Sequence, residues 1–214
     1  MTDAIILHAR LRLPLSCPAW QEPLLQALPY AQRLELERRE AEARRASLAG
    51  LGLVLVGAAR MSQREFPPQA FTFPPAGKPR LAGGPYFSIS HSSSAVTCIV
   101  CADTDCGIDI EDRPDLAESA TVAKLQRWTA TEAALKAAGL GLRATGEVAL
   151  AARLGHAIVR GQRYELQSLD YMPDVIGHVA AGKKLTPNIA SLELDDARTS
   201  ALLERSFGLA AQIE

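Results

Sequence analysis

Hydrophobic and polar positions alternate over Ile5 to Leu13, the period of a half-buried strand, until the prolines between Pro14 and Pro29 break it. From Ala31 to about Arg60 the period becomes helical, with Leu34, Leu48 and Leu51 in a long run lacking proline. The first half of that run interleaves Glu35, Glu37, Glu40 and Glu42 with Arg33, Arg38, Arg39, Arg44 and Arg45, the pattern of a solvated helix laced with ion pairs. The Pro- and Gly-rich stretch Phe66–Pro85 predicts a loop. Phe87–His91 alternates as a strand, Ser92-Ser93-Ser94 turns it, and Val96–Ala102 and Gly107–Glu111 predict two more strands. A helix is expected over Lys124–Ala138, closed by Gly139. Arg163–Tyr171 and Val175–Ala181 predict a strand pair around Met172-Pro173-Asp174, and Asp195–Gln212 a terminal helix. Strand-rich stretches after a long helix in both halves predict an α+β protein of one large domain or two similar subdomains, although no repeat is visible.

Composition narrows the class. The 214 residues are 48% apolar and 22% charged, the balance of an ordinary globular protein. A net charge of -1 gives no global basic field, so neither nucleic acid nor an acidic membrane is an expected partner. Any anionic ligand must be met by a local cluster. The N-terminus, Ala4 to Arg10, is too short and too soon charged for a secretory signal. The longest apolar run, Leu48–Ala59, is bracketed by Arg45 and Arg60 and falls short of the ~20 residues that span a bilayer, so it predicts a buried helix. A cytoplasmic monomer is the expectation.

Four cysteines stand at positions 17, 98, 101 and 106. Cys98-x-x-Cys101 has the spacing of half a zinc site, which His91 or Cys106 could complete. On a buried strand, however, positions three apart face opposite sides, which favours core cysteines.

Asp109 and Glu111, two residues apart on an apolar strand, point to one face. Two such charges at about 4 Å repel by about 4 kcal/mol at an effective dielectric near 20. With no adjacent Lys or Arg, they require a solvated face, a raised pKa, or a cation from elsewhere; oxygen ligands favour Mg²⁺ or Ca²⁺. Trp128, Glu132 and Lys136 share one helix face at i, i+4, i+8. Glu132 and Lys136 make either a simple helical ion pair or, aimed at the first two acids, a metal and phosphate site. His91, at a strand end before three serines, is either a satisfied structural histidine or a donor to phosphate.

These motifs stand in a specific order: Gly77-Lys78-Pro79, Phe87-Ser88-Ile89-Ser90-His91-Ser92, Gly107-Ile108-Asp109-Ile110-Glu111, then Trp128-x-x-x-Glu132-Ala133-x-x-Lys136-x-x-Gly139-x-Gly141-Leu142. Together they resemble the 4′-phosphopantetheinyl transferases of the larger, Sfp-like type, over roughly Arg44 to Leu142. The resemblance implies an α+β fold of two similar subdomains forming a pseudo-dimer in one chain, with the active site in the cleft between them. It implies an N-terminal subdomain over 1–104 holding the coenzyme A nucleotide, and a C-terminal one over 105–214 with the metal site and catalytic helix. The implied reaction moves the phosphopantetheine arm of coenzyme A onto a serine of an apo acyl or peptidyl carrier protein, releasing adenosine 3′,5′-bisphosphate. Fatty-acid, polyketide and nonribosomal peptide carriers are all open.

By the same resemblance, Asp109, Glu111 and Glu132 would hold Mg²⁺, or Mn²⁺ in its place. Glu132, directly or through a water on the metal, would help deprotonate the carrier serine. Lys136 would steady the pyrophosphate and the leaving phosphate. His91 with Ser90 would contact coenzyme A phosphates, Lys78 would sit near the nucleotide, and Arg44 or Arg45 would take the 3′-phosphate.

Three departures stand out. Thr131 precedes Glu132 where the family commonly has Lys, and Leu51 follows Gly50 where it often has Arg. Only sixteen residues, Asp112 to Arg127, separate Glu111 from Trp128, where similar proteins carry a longer, carrier-receiving insert. The rival expectation is a coenzyme A-binding relative that transfers poorly and serves a regulatory or partner role. Removing Asp109 is expected to cost metal-dependent coenzyme A binding more than stability, because the acid pair loses its own repulsion.

Overall fold

The computed structural model describes residues 1–11, 19–75, 77–114, 119–192, 194 and 197–206. Cys17, the end of the first expected strand at Leu13, Glu118 and the last turns of the terminal helix to Gln212 lie outside the described residues. Strand β1 (Thr2–Arg10) leads into helices α1 (Gln21–Ala27), α2 (Tyr30–Glu37) and α3 (Ala41–Ser62). A small hairpin, β2 (Phe71–Thr72) and β3 (Arg80–Leu81), precedes β4 (Tyr86–His91), β5 (Ala95–Cys101) and β6 (Cys106–Asp112). Helix α4 (Ser119–Ala138) is followed by β7 (Val148–Leu150), β8 (His156–Val159), β9 (Gln162–Ser168), β10 (Val175–Ala181), β11 (Leu185–Ser191) and α5 (Ala197–Ser206). The protein is α+β, as its pattern predicts, and among the described residues no helix is long and apolar enough to cross a membrane.

Two sheets carry the fold, ordered β11-β1-β5-β4 and β6-β10-β9-β8-β7. Alternation along β5 sends Val96, Cys98 and Val100 toward α3, while Ala95, Ile99 and Cys101 face Ile108 and Val179 of the second sheet. Ala130, Ala133 and Ala134 of α4 cover the second sheet's other face over Ala157, Tyr164 and Leu166. The layers therefore run α3, sheet, sheet, α4. Cys98 and Cys101 are buried and free on opposite faces, so they share no zinc.

Four local expectations are corrected. The long helix breaks at Arg38–Glu40, where the backbone opens so that Leu36 of α2 and the apolar face of α3 both enter the core. The stretch Phe66–Pro85 holds a short hairpin, because Phe71 packs edge-on against Phe87. Helix α4 runs from Ser119; its first turns mix Ala120, Val122 and Leu125 with polar residues and are mostly exposed, so they present no buried apolar stripe. Finally, β11 returns to pair in parallel with β1, and Leu203 of α5 packs where a side chain at Gly52 would lie. A cut at 104/105 therefore does not separate the strands of the two sheets.

The sheets join where β4 and β6, an edge strand of each, run side by side. Backbone groups of alternate β6 residues face away from β10 and need other partners. The Ile108 and Ile110 N–H groups donate to Ser88 Oγ (3.2 Å) and Ser90 Oγ (3.3 Å). The Cys106 and Ile108 carbonyls accept from Lys78 Nζ (2.6 Å) and Lys136 Nζ (3.2 Å). Side chains thus complete an edge that no strand covers.

Gly107 sets how closely α4 lies on β6. A Cβ there would collide with the Ala133 carbonyl and the Ala137 nitrogen, both backbone atoms that cannot swing aside. Gly107→Ala is expected to cost about 3 kcal/mol or more, read by denaturant unfolding, since α4 must lift off the sheet. A loss below about 1 kcal/mol would contradict that packing.

Candidate metal centre

On β6, Asp109 and Glu111 share a face and meet the side of α4 that carries Trp128, Glu132 and Lys136. Carboxylate oxygens of Asp109, Glu111 and Glu132 lie within 4.8 Å of one another. Asp109 is only 3% exposed. Its Oδ1 accepts from Lys136 Nζ at 2.6 Å and from Ser90 Oγ at 2.9 Å. Its Oδ2 is buried and has no hydrogen-bond partner among the described residues. Trp128 Nε1 donates to Glu111 Oε1 at 3.2 Å, which orients that carboxylate.

Crowded acids with little water hold their protons. Burial pushes Glu132 up to about 7, with Asp109 adding to the shift, Lys136 opposing it and Glu111 adding again. Burial and then the Asp109 charge raise Glu111, against the pull of the Trp128 hydrogen bond. His178 stands opposite Asp109 on β10, with Nδ1 at 2.8 Å from Thr129 Oγ1. Burial pushes its imidazole down to about 4, against the weaker pull of Asp170, so it supplies no positive charge. The cation for Asp109 comes instead from Lys136. Removing Asp109 would therefore strand a lysine and a serine, and the expected relief of repulsion gives way to a lost buried ion pair.

Asp112 belongs to a different construction. Ser92 Oγ (2.6 Å), Ser93 N (2.9 Å), Ser93 Oγ (2.5 Å) and Ser94 Oγ (2.5 Å) all donate to its carboxylate. Burial pushes this carboxyl up, but the serine hydrogen bonds outweigh it and hold it down to about 2. The three-serine turn thus anchors the end of β6 and keeps a fourth acid out of the cluster.

An oxygen-only donor set with an orphaned buried carboxylate oxygen fits a hard divalent cation such as Mg²⁺. Beside it opens a cavity of about 670 Å³ that Lys78, Lys136 and Arg143 line together with apolar Phe87, Ile89 and Leu140. A second cavity of about 300 Å³ shares Gly77, Pro79 and Ile89 with it and brings in Arg39, Ser47, Leu51 and His91. Burial lowers the His91 pKa, the Lys136 and Arg39 charges lower it further, and Asp109 opposes them.

Of the expected site residues, Asp109, Glu111, Glu132 and Lys136 converge, Lys78 lines the larger cavity, and His91 lines the smaller. Ser90 turns its hydroxyl onto Asp109. Arg44 and Arg45 line neither cavity; the Arg44 guanidinium reaches the Glu37 carbonyl at 3.5 Å, and the Arg45 carbonyl accepts from Gln21. Arg39 lines the smaller cavity instead, held by Glu35 (2.5 Å) and Ser47 (3.1 Å). It was hidden in a charge pattern typical of a solvated helix; it lies in the break at Arg38–Glu40, exposed but on the rim of the smaller cavity. Arg143, just past Gly139-x-Gly141, had no distinguishing signal. Thr131 is half-buried and donates back to the Arg127 carbonyl at 2.8 Å, so its hydroxyl is turned onto its own helix and not into the cluster.

No protein-family model matches the chain, and no curated protein matches it in sequence.

The raised carboxyls make the ion-free folded state hold protons that the unfolded chain has already released. Their contribution to stability is present below the ordinary carboxylate range and is lost as pH rises through about 7. A divalent ion demands the ionised forms and opposes that loss. The melting-temperature rise on adding Mg²⁺ is therefore expected to be larger at about pH 8 than at about pH 5.5. An equal rise at both values would contradict an ion held by Glu132.

Proposed function

We propose that this chain is a Mg²⁺-dependent 4′-phosphopantetheinyl transferase acting on a serine of an apo acyl or peptidyl carrier protein. The observation that carries the reading is the convergence of Asp109, Glu111 and Glu132 beside Lys136, which also lines a cationic, apolar-walled cavity. One helix on each of two sheets, meeting at β4 and β6, supports the two-halved arrangement with the donor in the cleft.

The carrier serine oxygen bonds to the phosphorus that bears pantetheine. The bond from that phosphorus to the bridging oxygen breaks, and adenosine 3′,5′-bisphosphate leaves. Asp109, Glu111 and Glu132 would hold the ion, which when bound neutralises charge on the pyrophosphate oxygens. Glu132, ionised once the ion is bound, would accept the serine proton. Lys136, fixed by Asp109 and the Ile108 carbonyl, presents its positive charge to the leaving phosphate. His91, with Arg39 beside it in the smaller cavity, supplies donors to a further phosphate.

A coenzyme A-binding relative with weak transfer is the second reading. The observation favouring it is Thr131, whose hydroxyl turns back onto its own helix.

Incubation with coenzyme A, Mg²⁺ and a panel of apo carriers, followed by mass spectrometry of the carriers, separates the two. A gain of one phosphopantetheine arm is expected on at least one carrier. Bound coenzyme A with no modified carrier would leave only the second reading. Glu132→Gln is expected to lower transfer by about 100-fold or more while the melting temperature holds or rises, because a crowded acid is neutralised. Transfer at the native rate would remove Glu132 from the mechanism.

A further inference from the structure

Three cations line the larger cavity, and two of them are already committed. Lys78 Nζ donates to the Cys106 carbonyl at 2.6 Å and lies 3.6 Å from the Asp105 carboxylate. Lys136 Nζ is bound to Asp109 at 2.6 Å and to the Ile108 carbonyl. Arg143, the third, makes no hydrogen bond or ion pair with any described residue. Lys78, which shares Asp105 with Arg80, and Lys136 are thus both committed to acids and carbonyls, and Arg143 is the lining cation with no partner among the described residues.

Its location sharpens the point. Arg143 follows the turn Gly139-Leu140-Gly141 at the C-terminal end of α4, where the last helical carbonyls repel anions. Gly139, at φ 70°, ends the helix and lets the chain fold round the cavity mouth. An anion entering beside Lys136 meets a helix end of the wrong sign, and a lysine already shared with Asp109. A guanidinium beyond that end restores the balance, and its planar fork matches a phosphate in two hydrogen bonds. The apolar wall of Phe87, Ile89 and Leu140 limits water and so strengthens the contact.

We propose that Arg143 is a ligand-binding residue that grips the pyrophosphate of a phosphate-bearing donor held in this cavity. The proposal rests on the coenzyme A reading above. Arg143 is exposed, so its replacement leaves the fold intact, which an unchanged melting temperature checks.

The test is calorimetric binding of inorganic pyrophosphate and of coenzyme A, each with Mg²⁺, to the native protein, Arg143→Gln and Arg143→Lys. The glutamine variant is expected to bind both probes about tenfold more weakly, with a shallower salt dependence, and the lysine variant to recover part of the loss. Unchanged binding of both probes by Arg143→Gln would overturn the role of Arg143 and leave the transferase reading standing. A loss for coenzyme A without one for pyrophosphate would overturn the assignment to the pyrophosphate. Pyrophosphate binding that weakens in the variant, with no coenzyme A binding by the native protein, would sink the coenzyme A reading and keep the phosphate grip. Binding of neither probe would overturn both.

Discussion

The ion pair between Asp109 and Lys136 is the constraint on which the rest of the structure depends. A carboxylate 3% exposed needs a cation and hydrogen bonds in place of the water it has lost. Lys136 supplies the cation at 2.6 Å, and Ser90 supplies the hydroxyl. The same ammonium also closes the Ile108 carbonyl on the open edge of β6. One side chain from α4 therefore ties helix to strand, satisfies backbone, and leaves Asp109 Oδ2 as an acceptor still in need of a partner.

Fold and candidate site are built from the same atoms. The serines that close the β6 edge come from β4, so the junction of the two sheets is also the back wall of the acidic cluster. Gly107 sets the distance of α4 from β6 by having no side chain, and that distance carries Glu132 to Asp109 and Glu111. At the far end of β6 the Ser92–Ser94 turn holds Asp112 ionised and apart. Three carboxylates with raised or shared charge are thereby separated from a fourth that is fully satisfied.

Much of this was legible in the sequence because it rests on short periods. Asp109 and Glu111 share a strand face, and Trp128, Glu132 and Lys136 share a helix face; those two stripes fix the centre once the elements touch. Strand β4 follows from alternation, and β5, β6 and β10 from short, largely apolar runs bounded by turns. What stayed hidden depends on contacts between residues distant in the chain. The return of β11 to β1 has no local signal, since a parallel edge pairing is decided by the whole topology. That Arg39, and neither Arg44 nor Arg45, lines the smaller cavity was equally hidden, because charge spacing on one assumed helix carries no information about a break within it. The lysine that neutralises Asp109 was visible, but its second role at the β6 edge emerges only in three dimensions.

The central claim is that three carboxylates, one of them with an unpaired buried oxygen, hold a divalent ion between β6 and α4. Crystals grown with Mn²⁺ and measured for anomalous scattering test it most directly. The expected result is a single strong peak bounded by Asp109 Oδ2, Glu111 and Glu132, with Lys136 still bound to Asp109. A crystal with no peak among these carboxylates, or one in which Mn²⁺ binds only elsewhere, would contradict it.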